Sequence, residues 1–433
     1  IGGASSTGSS ETNTRYRLII ESGFYSTGSM SMYNTSSTNL NLYIEAKGIY
    51  GNDYDRVDNN NNNNLLLHET AAALMGGKIY SNSEFGIELV VKSGSFGNGK
   101  NDMYAGIYAG GVNNGNLYVP TKIKVEGGYI YNLIGGPISD GSSRDKNLIF
   151  FYQTGGEVDL IIGGAGYSPS YGNRIISVTG GKVIHSIFGG SNGYGNQSGV
   201  NDGRLNGSSF IYVGGNAVVG DDNVINQGTN GYLFGAESGS VFGNGNGKAS
   251  TANTDYSGIG SNINAYIIID GNATVKNSVY GGGNYGTAGR SSNSGTSLTD
   301  IKIMGGTINQ NVYGGGNQSG AGYTNITATT NITMTGGNVL GNIYGGANVS
   351  GIVYGASNVS ILNGNVSGNV YGGGKGNQTF IRTNSNVVIG STTVNKPEIT
   401  GNVYGGSAFG TVNSTTSTGT SSGNTSVTVN NGV

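Results

Sequence analysis

The chain has 433 residues, of which 84 are Gly and none is Cys or Trp, and its formal net charge is −2. Its charged fraction of 10% is far below the ~25% of ordinary globular proteins and leaves no basic stripe for a nucleic-acid backbone. The absence of Cys excludes disulfides and Cys-ligated metals, and no apolar run reaches the ~18 residues of a membrane helix. We therefore expect no nucleic-acid partner and no membrane span.

Residues 1–107 contain strand-like segments but no regular repeat. Six consecutive Asn, Asn59 to Asn64, precede Leu65 to Met75, which is the one stretch that could be a helix covering the end of a rod; an ordinary strand fits it equally well. The chain opens at Ile1 without a signal peptide, as expected of a mature or trimmed product. We interpret 1–107 as irregular N-terminal coils or a cap, and 108–433 as a regular repeat region.

An apolar anchor followed by Gly recurs about every 33 residues from residue 108 onward. Five copies read Val/Ile-Tyr-Gly-Gly, and upstream copies place Ile or Phe in the position of the Tyr. The predicted anchors are Tyr108, Ile134, Ile162, Phe188, Phe234, Tyr280, Tyr313, Tyr344, Tyr371 and Tyr404.

An alternating strand ending in Gly-Gly precedes many of these anchors, as at Ile301 to Gly306 and Ile332 to Gly337. Alternation of this kind is typical of a half-buried strand, and the Gly pair then turns a corner. A fixed two-strand corner with a variable return is typical of a solenoid, whose crossovers are right-handed in ~98% of cases. The sequence predicts an all-β chain forming a right-handed parallel β-helix (β-solenoid) of about 13 coils, each of roughly 26–46 residues.

Two features of the repeat leave alternatives open. Asn284, Asn317 and Asn348 each lie four residues after their Tyr, so they form either an amide hydrogen-bond ladder or ordinary turn positions. Two adjacent apolar residues cannot both point inward along a flat strand. Either the anchor aromatics are buried at a corner, or they form an outer stack that binds sugars or a partner.

Residues with catalytic chemistry are few and do not recur at one register. His68 and His185 are the only histidines, and the carboxylate groups Asp53/Asp55/Asp58 and Asp221/Asp222 have no counterpart in other coils. Paired carboxylates serve glycoside hydrolysis, but we interpret these positions as solvated loop carboxylates. We expect no catalytic residue, no cofactor and no metal site.

The Gly-Asn-Val-Tyr-Gly-Gly phrase, present at 368–373 and 401–406, resembles the repeats of large bacterial surface proteins with a right-handed parallel β-helix. These are adhesins and autotransporter-passenger-like stalks. The resemblance covers roughly residues 100–433 and is one of repeat style, without a catalytic motif. It implies secretion, display at the cell surface, and adhesive or structural work.

These observations favour a non-enzymatic extracellular structural protein: a rod in a surface adhesin, or a filament of copies stacked end to end. Val427 and Val429, in the last strand-like segment, are the predicted end-stacking interface. The expected partners are further copies of the chain, arranged head to tail, or a host or cell-surface glycan or protein. The alternative is a carbohydrate-binding or carbohydrate-cleaving β-helix protein that uses aromatics along one face.

Overall fold

The alternating segments form short strands that bury every second residue. In Ile149–Gln153, for example, Ile149, Phe151 and Gln153 are buried while Phe150 and Tyr152 remain partly exposed. Each such strand pairs in parallel with the equivalent strands before and after it in the chain. The computed structural model is therefore an all-β parallel β-solenoid, which confirms the predicted fold class, and its described residues contain no helix.

The structure describes part of the chain. The described residues are 15–20, 24–25, 41–46, 49–50, 87–93, 95–96, 107–109, 121–136, 148–165, 170–192, 205–223, 238–247, 264–286, 295–319, 322–323, 326–391, 396–413 and 423–430. The predictions about Leu65 to Met75, His68, the Asp53 group and Phe234 fall outside these ranges.

Ladder A, the longest, is formed by the alternating strands. Its register is parallel throughout. Its strands are Arg15–Ile20, Asn41–Ala46, Ile87–Val91, Thr121–Val125, Ile149–Gln153, Arg174–Val178, Ser209–Val213, Ala265–Ile269, Gly295–Ile303, Ile326–Val339, Ser357–Val366, Ser385–Ile389 and Thr425–Val429.

Ladder B follows the Gly-Gly corner. Its strands are Phe24–Tyr25, Ile49–Tyr50, Ser95–Phe96, Tyr129–Ile134, Glu157–Ile162, Lys182–Val183, Val218–Val219, Thr274–Val275, Thr307–Ile308 and Glu398–Ile399. The ends of Ile326–Val339 and Ser357–Val366 complete it. Ladders A and B run without a break past residue 107, and the boundary proposed there stays a prediction.

Ladder C carries the anchor residues and begins later in the chain. Its strands are Ile107–Tyr108, Ile187–Phe188, Val241–Phe242, Val279–Tyr280, Val312–Tyr313, Ile343–Tyr344, Val370–Tyr371 and Val403–Tyr404. The ends of Tyr129–Ile134 and Glu157–Ile162 fill the two rungs after Ile107–Tyr108. At Tyr108 the backbone pairs with Ile134, as the repeat predicts.

Smaller pairings lie outside the three ladders. Ser170–Tyr171 pairs with Leu205–Asn206, and Gly322–Tyr323 pairs antiparallel with the start of Ile326–Val339. A three-stranded sheet is formed by Ser350–Val353, Gln378–Ile381 and Thr411–Val412.

The inward side chains of all three ladders form one continuous apolar core along the solenoid. In ladder A, one inward position is Ile176, Ile211, Ile267 and Ile301 in successive coils, and all four are at most 2% exposed. Burying each such side chain stabilises the fold by roughly 1.5–3 kcal/mol. The core therefore depends on stacking, because a single coil has no neighbour against which to bury these groups.

The Gly-Gly corners between ladders A and B need glycine for a conformational reason. Gly306 and Gly337 have φ of 72° and 78°, in the left-handed region that side chains with a Cβ rarely adopt. A Cβ on Gly337 would also overlap the backbone of Gly305 in the preceding coil. The corner glycines thus let each coil turn directly onto its neighbour.

Candidate functional site

The anchor aromatics point inward, which settles the alternative left open by the sequence. Val279 and Tyr280 are both fully buried, as are Val312 and, at 1% exposed, Tyr313. The β-branched residue joins the central core, whereas the aromatic joins a separate cluster. A two-residue strand at a corner can bury both side chains because two apolar compartments lie on its two sides.

The aromatic rings form a continuous stack along ladder C. Ring centroids from Phe188 to Phe242, and from Phe242 to Tyr280, lie 4.7 Å apart, and the rings are nearly parallel. The stack continues through Tyr313, Tyr344, Tyr371 and Tyr404 with spacings of 4.8 to 5.1 Å. Ring faces that cover one another are closed to a sugar, so the anchor stack is not the sugar-binding surface that the sequence left open.

One rung of ladder C is filled by a residue that the repeat did not predict. Phe242 pairs with both Phe188 and Tyr280, in the place for which Phe234 was predicted, and Phe234 itself lies outside the described residues. Leu233-Phe234-Gly235 and Val241-Phe242-Gly243 both match the local phrase, but Asn246 follows Phe242 by four residues, as Asn284 follows Tyr280. The four-residue spacing to an Asn is the sequence signal that distinguishes Phe242 from Phe234.

The Asn residues after the anchors form a buried amide ladder. Asn284 Nδ2 donates to Asn246 Oδ1 at 3.1 Å, Asn317 to Asn284 at 2.9 Å, and Asn348 to Asn317 at 2.8 Å. The ladder begins at Asn192, which accepts from Asn246 at 3.0 Å. The hydrogen-bonded alternative is therefore confirmed. Burial beside this ladder raises the pKa of the Tyr344 hydroxyl to about 12.

Two further sets of polar side chains join the coils at this corner. The Asn before the anchor accepts a backbone hydrogen bond from the next coil: Asn369 N donates to Asn342 Oδ1 at 2.7 Å. Hydroxyl groups at the start of ladder A strands donate to the first Gly carbonyl after the anchor, as from Thr330 to Gly345 at 2.7 Å and from Ser357 to Gly372 at 2.6 Å. Each position of the Asn-Val-Tyr-Gly-Gly phrase thus has a structural partner.

The Asp221/Asp222 pair holds ion pairs between coils. Asp221 Oδ2 lies 2.7 Å from Lys182 Nζ, and Asp222 Oδ2 lies 3.0 Å from Lys276 Nζ. The hydrogen bond from Lys182 lowers the pKa of the Asp221 carboxyl. A carboxylate held ionised by a lysine is poorly suited to act as a general acid.

Two further groups with shifted pKa values, Asp159 and His185, lie on or just after strands of ladder B. Burial raises the pKa of Asp159 to about 6, opposed by a hydrogen bond from the Tyr129 hydroxyl. His185 Nδ1 lies 2.9 Å from Ser238 Oγ, and burial lowers the pKa of its imidazole. Among the described residues no group of three or more His, Cys, Asp or Glu is arranged to hold a metal ion.

The predicted end-stacking residues lie on the last described strand of ladder A. Val427 is 43% exposed and Val429 is 60% exposed, whereas Val387 and Ile389, their partners in the preceding coil, are buried. Tyr404, the last anchor, is 44% exposed. The described strand Thr425–Val429 therefore presents one open side.

Comparisons with known proteins give no relative: no family model, no curated protein and no solved structure matches this chain. Within the described ranges, no helix is long and apolar enough to cross a membrane. The likeness to bacterial surface proteins therefore rests on the style of the repeat alone.

Proposed function

We propose that this chain is a non-enzymatic extracellular structural protein: a β-solenoid rod of a bacterial surface adhesin, or of a filament whose copies stack end to end. One observation carries the proposal. The side chains that recur in the repeat all hold one coil onto the next: the β-branched core residue, the stacked aromatic, the amide ladder and the hydroxyl on the Gly carbonyl.

The titratable groups support the non-enzymatic part of the proposal. Asp221 and Asp222 are engaged with lysines of neighbouring strands, and His185 is engaged with Ser238. An extracellular setting suits a surface with a 10% charged fraction, because such a surface responds weakly to changes of salt and pH.

The open side at Thr425–Val429 supports stacking of a second copy. Strand edges and unburied apolar residues at the end of a sheet are a template for another strand. The second glycine of the anchor phrase shows the same difference between an inner coil and the last described coil. A Cβ on Gly282 would meet the backbone of Gly316 at 2.6 Å, whereas a Cβ on Gly406 would meet nothing within 4 Å.

Electron microscopy of the purified chain at neutral pH tests the proposal. The wild-type chain should form filaments with an axial repeat on the order of 60 Å, the height of the coil stack. Gly406→Ala should leave the single rod folded, since space is open there, but block stacking, since a coil placed above would meet the new Cβ. Val429→Lys should have the same effect.

Gly282→Ala is the matched control, because it places the same methyl group at the same repeat position inside the rod. It should destabilise the fold itself, measured by thermal unfolding, whereas Gly406→Ala should not. Single rods at every concentration, or filaments that tolerate both Gly406→Ala and Val429→Lys, would refute end-to-end stacking.

A further inference from the structure

An apolar patch interrupts the polar outer face of ladder A. Two residues of each strand point outward there, and in four consecutive coils most of these are large and apolar. We call this set the outer patch: Phe150, Tyr152, Ile175, Phe210, Tyr212, Tyr266 and Ile268. In the later coils the same two positions hold Asn331 and Thr333, then Asn358 and Ser360. The patch is therefore confined to one part of the rod.

The outer patch remains open to solvent. Phe210 is 38% exposed, and the other six side chains are partly exposed. Phe210 and Tyr266 stack with ring centroids 4.8 Å apart and 9° between the planes, so their faces cover each other and their edges point outward. A rimmed apolar patch on a soluble protein marks an interaction surface. Ridges of ring edges fit another ridged sheet better than a sugar ring, which stacks on an exposed aromatic face.

At one of the two outward positions, the chemistry is nearly symmetric about the middle of the patch. Ile175 and Phe210 lie at the centre, Phe150 and Tyr266 lie one coil further out, and charged residues close both ends. Lys122 lies at one end, in the strand before Phe150, and Asp300 lies at the other, in the strand after Tyr266. All six residues occupy the same outward position of their strands.

We propose that the outer patch is a lateral contact between two copies of this chain, packed face to face with their rods antiparallel. A two-fold axis along the strands then places Ile175 opposite Phe210 of the second copy, and Phe150 opposite Tyr266. The same two-fold axis places Lys122 of each copy opposite Asp300 of the other copy, so the contact occurs twice, as an isologous interface requires. Sheets packed this way lie about 10 Å apart.

Charge selects the antiparallel arrangement. With parallel rods, the two-fold axis along the solenoid would bring Lys122 opposite Lys124 of the second copy and Asp300 opposite Lys302. Lys122, Lys124 and Glu126 sum to a charge of +1, with Lys124 lying 2.6 Å from Glu126, whereas Asp300 and Lys302, 3.7 Å apart, sum to zero. Parallel rods therefore place two positive ends against each other, which is unfavourable, whereas antiparallel rods place each positive end against the neutral one, with Lys122 opposite Asp300.

The size of the patch predicts weak pairing. Six strands at ~4.8 Å and a width of about five residues give on the order of 500 Å² per copy, below the ~800 Å² of a stable complex. We expect pairs that form at high micromolar concentration. In a filament, many such contacts would act together and hold neighbouring filaments side by side.

Sedimentation of the Gly406→Ala chain at rising concentration tests this contact apart from end-to-end stacking. The chain should dimerise, and Phe210→Lys with Tyr266→Lys should weaken dimerisation by at least about tenfold. Thr333→Lys with Ser360→Lys, which places the same charges on the same face beyond the patch, should not. Lys122→Glu and Asp300→Lys should each weaken the dimer, and together they should restore it.

Spin labels establish the direction of pairing, and the chain's lack of Cys allows single labelled sites. Labels at Asn216→Cys, at the exposed corner beside the fourth strand counted from Lys122, should be close together in the dimer. Labels at Thr335→Cys, three strands further on, should be separated by about 34 Å along the axis, or seven coil heights. Parallel rods would give the same distance at both sites.

Three results would overturn the proposal. One is a monomer at every concentration, including one that instead binds an oligosaccharide through Phe210 and Tyr266. Another is a dimer that tolerates Phe210→Lys with Tyr266→Lys. The third is the same distance at both labelled sites. None of these bears on end-to-end stacking, because Gly406→Ala has removed it from the assay.

Discussion

Asp159 is a carboxyl group in a place that water reaches poorly, since it is 8% exposed and sits beside the Tyr129 hydroxyl. Its folded pKa of about 6, against an ordinary value of 3.8, means that the folded chain holds a proton that the unfolded chain releases. The free energy of unfolding should therefore fall as the pH rises from about 4 to 6, and remain lower above that range. The effect amounts to about 2–3 kcal/mol.

Asp159→Asn should remove this dependence and stabilise the chain at pH 7, because the amide keeps an acceptor for Tyr129 and carries no charge. The measurement is the urea midpoint of both chains from pH 4 to 8. The contribution of His185 has the opposite sign. Because the pKa of its imidazole is lowered in the folded chain, the free energy of unfolding falls as the pH falls below 6.5. The difference between the two chains cancels that contribution. A constant difference across the pH range would contradict the prediction.

The Asn ladder could be predicted from the sequence, because Asn284, Asn317 and Asn348 keep one spacing from their anchors. The direction in which the anchor aromatics point could not be predicted from the sequence. Alternation describes a strand with one buried face, whereas ladder C lies between two buried compartments. The local phrase alone predicts Phe234, and only the four-residue spacing to Asn246 favours Phe242. The ion pairs of Asp221 and Asp222 join residues of different coils, and contacts of that kind depend on register.

Asn317 is an internal rung of the buried amide ladder, with a bond on each side. Asn317→Leu should destabilise the chain by about 2–5 kcal/mol, because Asn284 Oδ1 and Asn348 Nδ2 each lose a partner in a buried site. The urea midpoint and hydrogen exchange of the neighbouring amides measure the loss.

Asn365→Ala is the control for that change. Asn365 donates to Asn338 at 3.0 Å in the same type of ladder, but in an exposed position. Its replacement should lower the free energy of unfolding by less than about 0.5 kcal/mol. If both variants lost the same free energy of unfolding, burial would not be the reason that the inner ladder stabilises the chain.

The whole molecule is a stack in which each coil contacts mainly its neighbours, so a complete coil should be removable. Deletion of 314–344 joins Tyr313 directly to Gly345 and places Asn348 four residues after Tyr313. Ladders A and C then pair Gly295–Ile303 with Ser357–Val366, and Val312–Tyr313 with Val370–Tyr371. We expect a folded rod shorter by ~4.8 Å.

Deletion of 314–329 removes about half a coil and is the contrasting variant. It joins the anchor corner to Thr330, in the ladder A strand Ile326–Val339, and leaves no room for the Asn turn. This chain should lose the protected amides around the junction, as measured by hydrogen exchange. Similar protection in both deletions would argue against a stack of in-register coils.

Because the ladders join coil to coil, their hydrogen bonds lie along the length of the rod. Tension applied to the two ends therefore loads all coil boundaries in series, and the weakest boundary yields first. A released coil of about 30 residues extends to about 100 Å, whereas it contributed only ~4.8 Å when folded. Pulled in an optical trap, the chain should lengthen in steps of that size, and a tether of this kind would absorb a sudden load by yielding coil by coil.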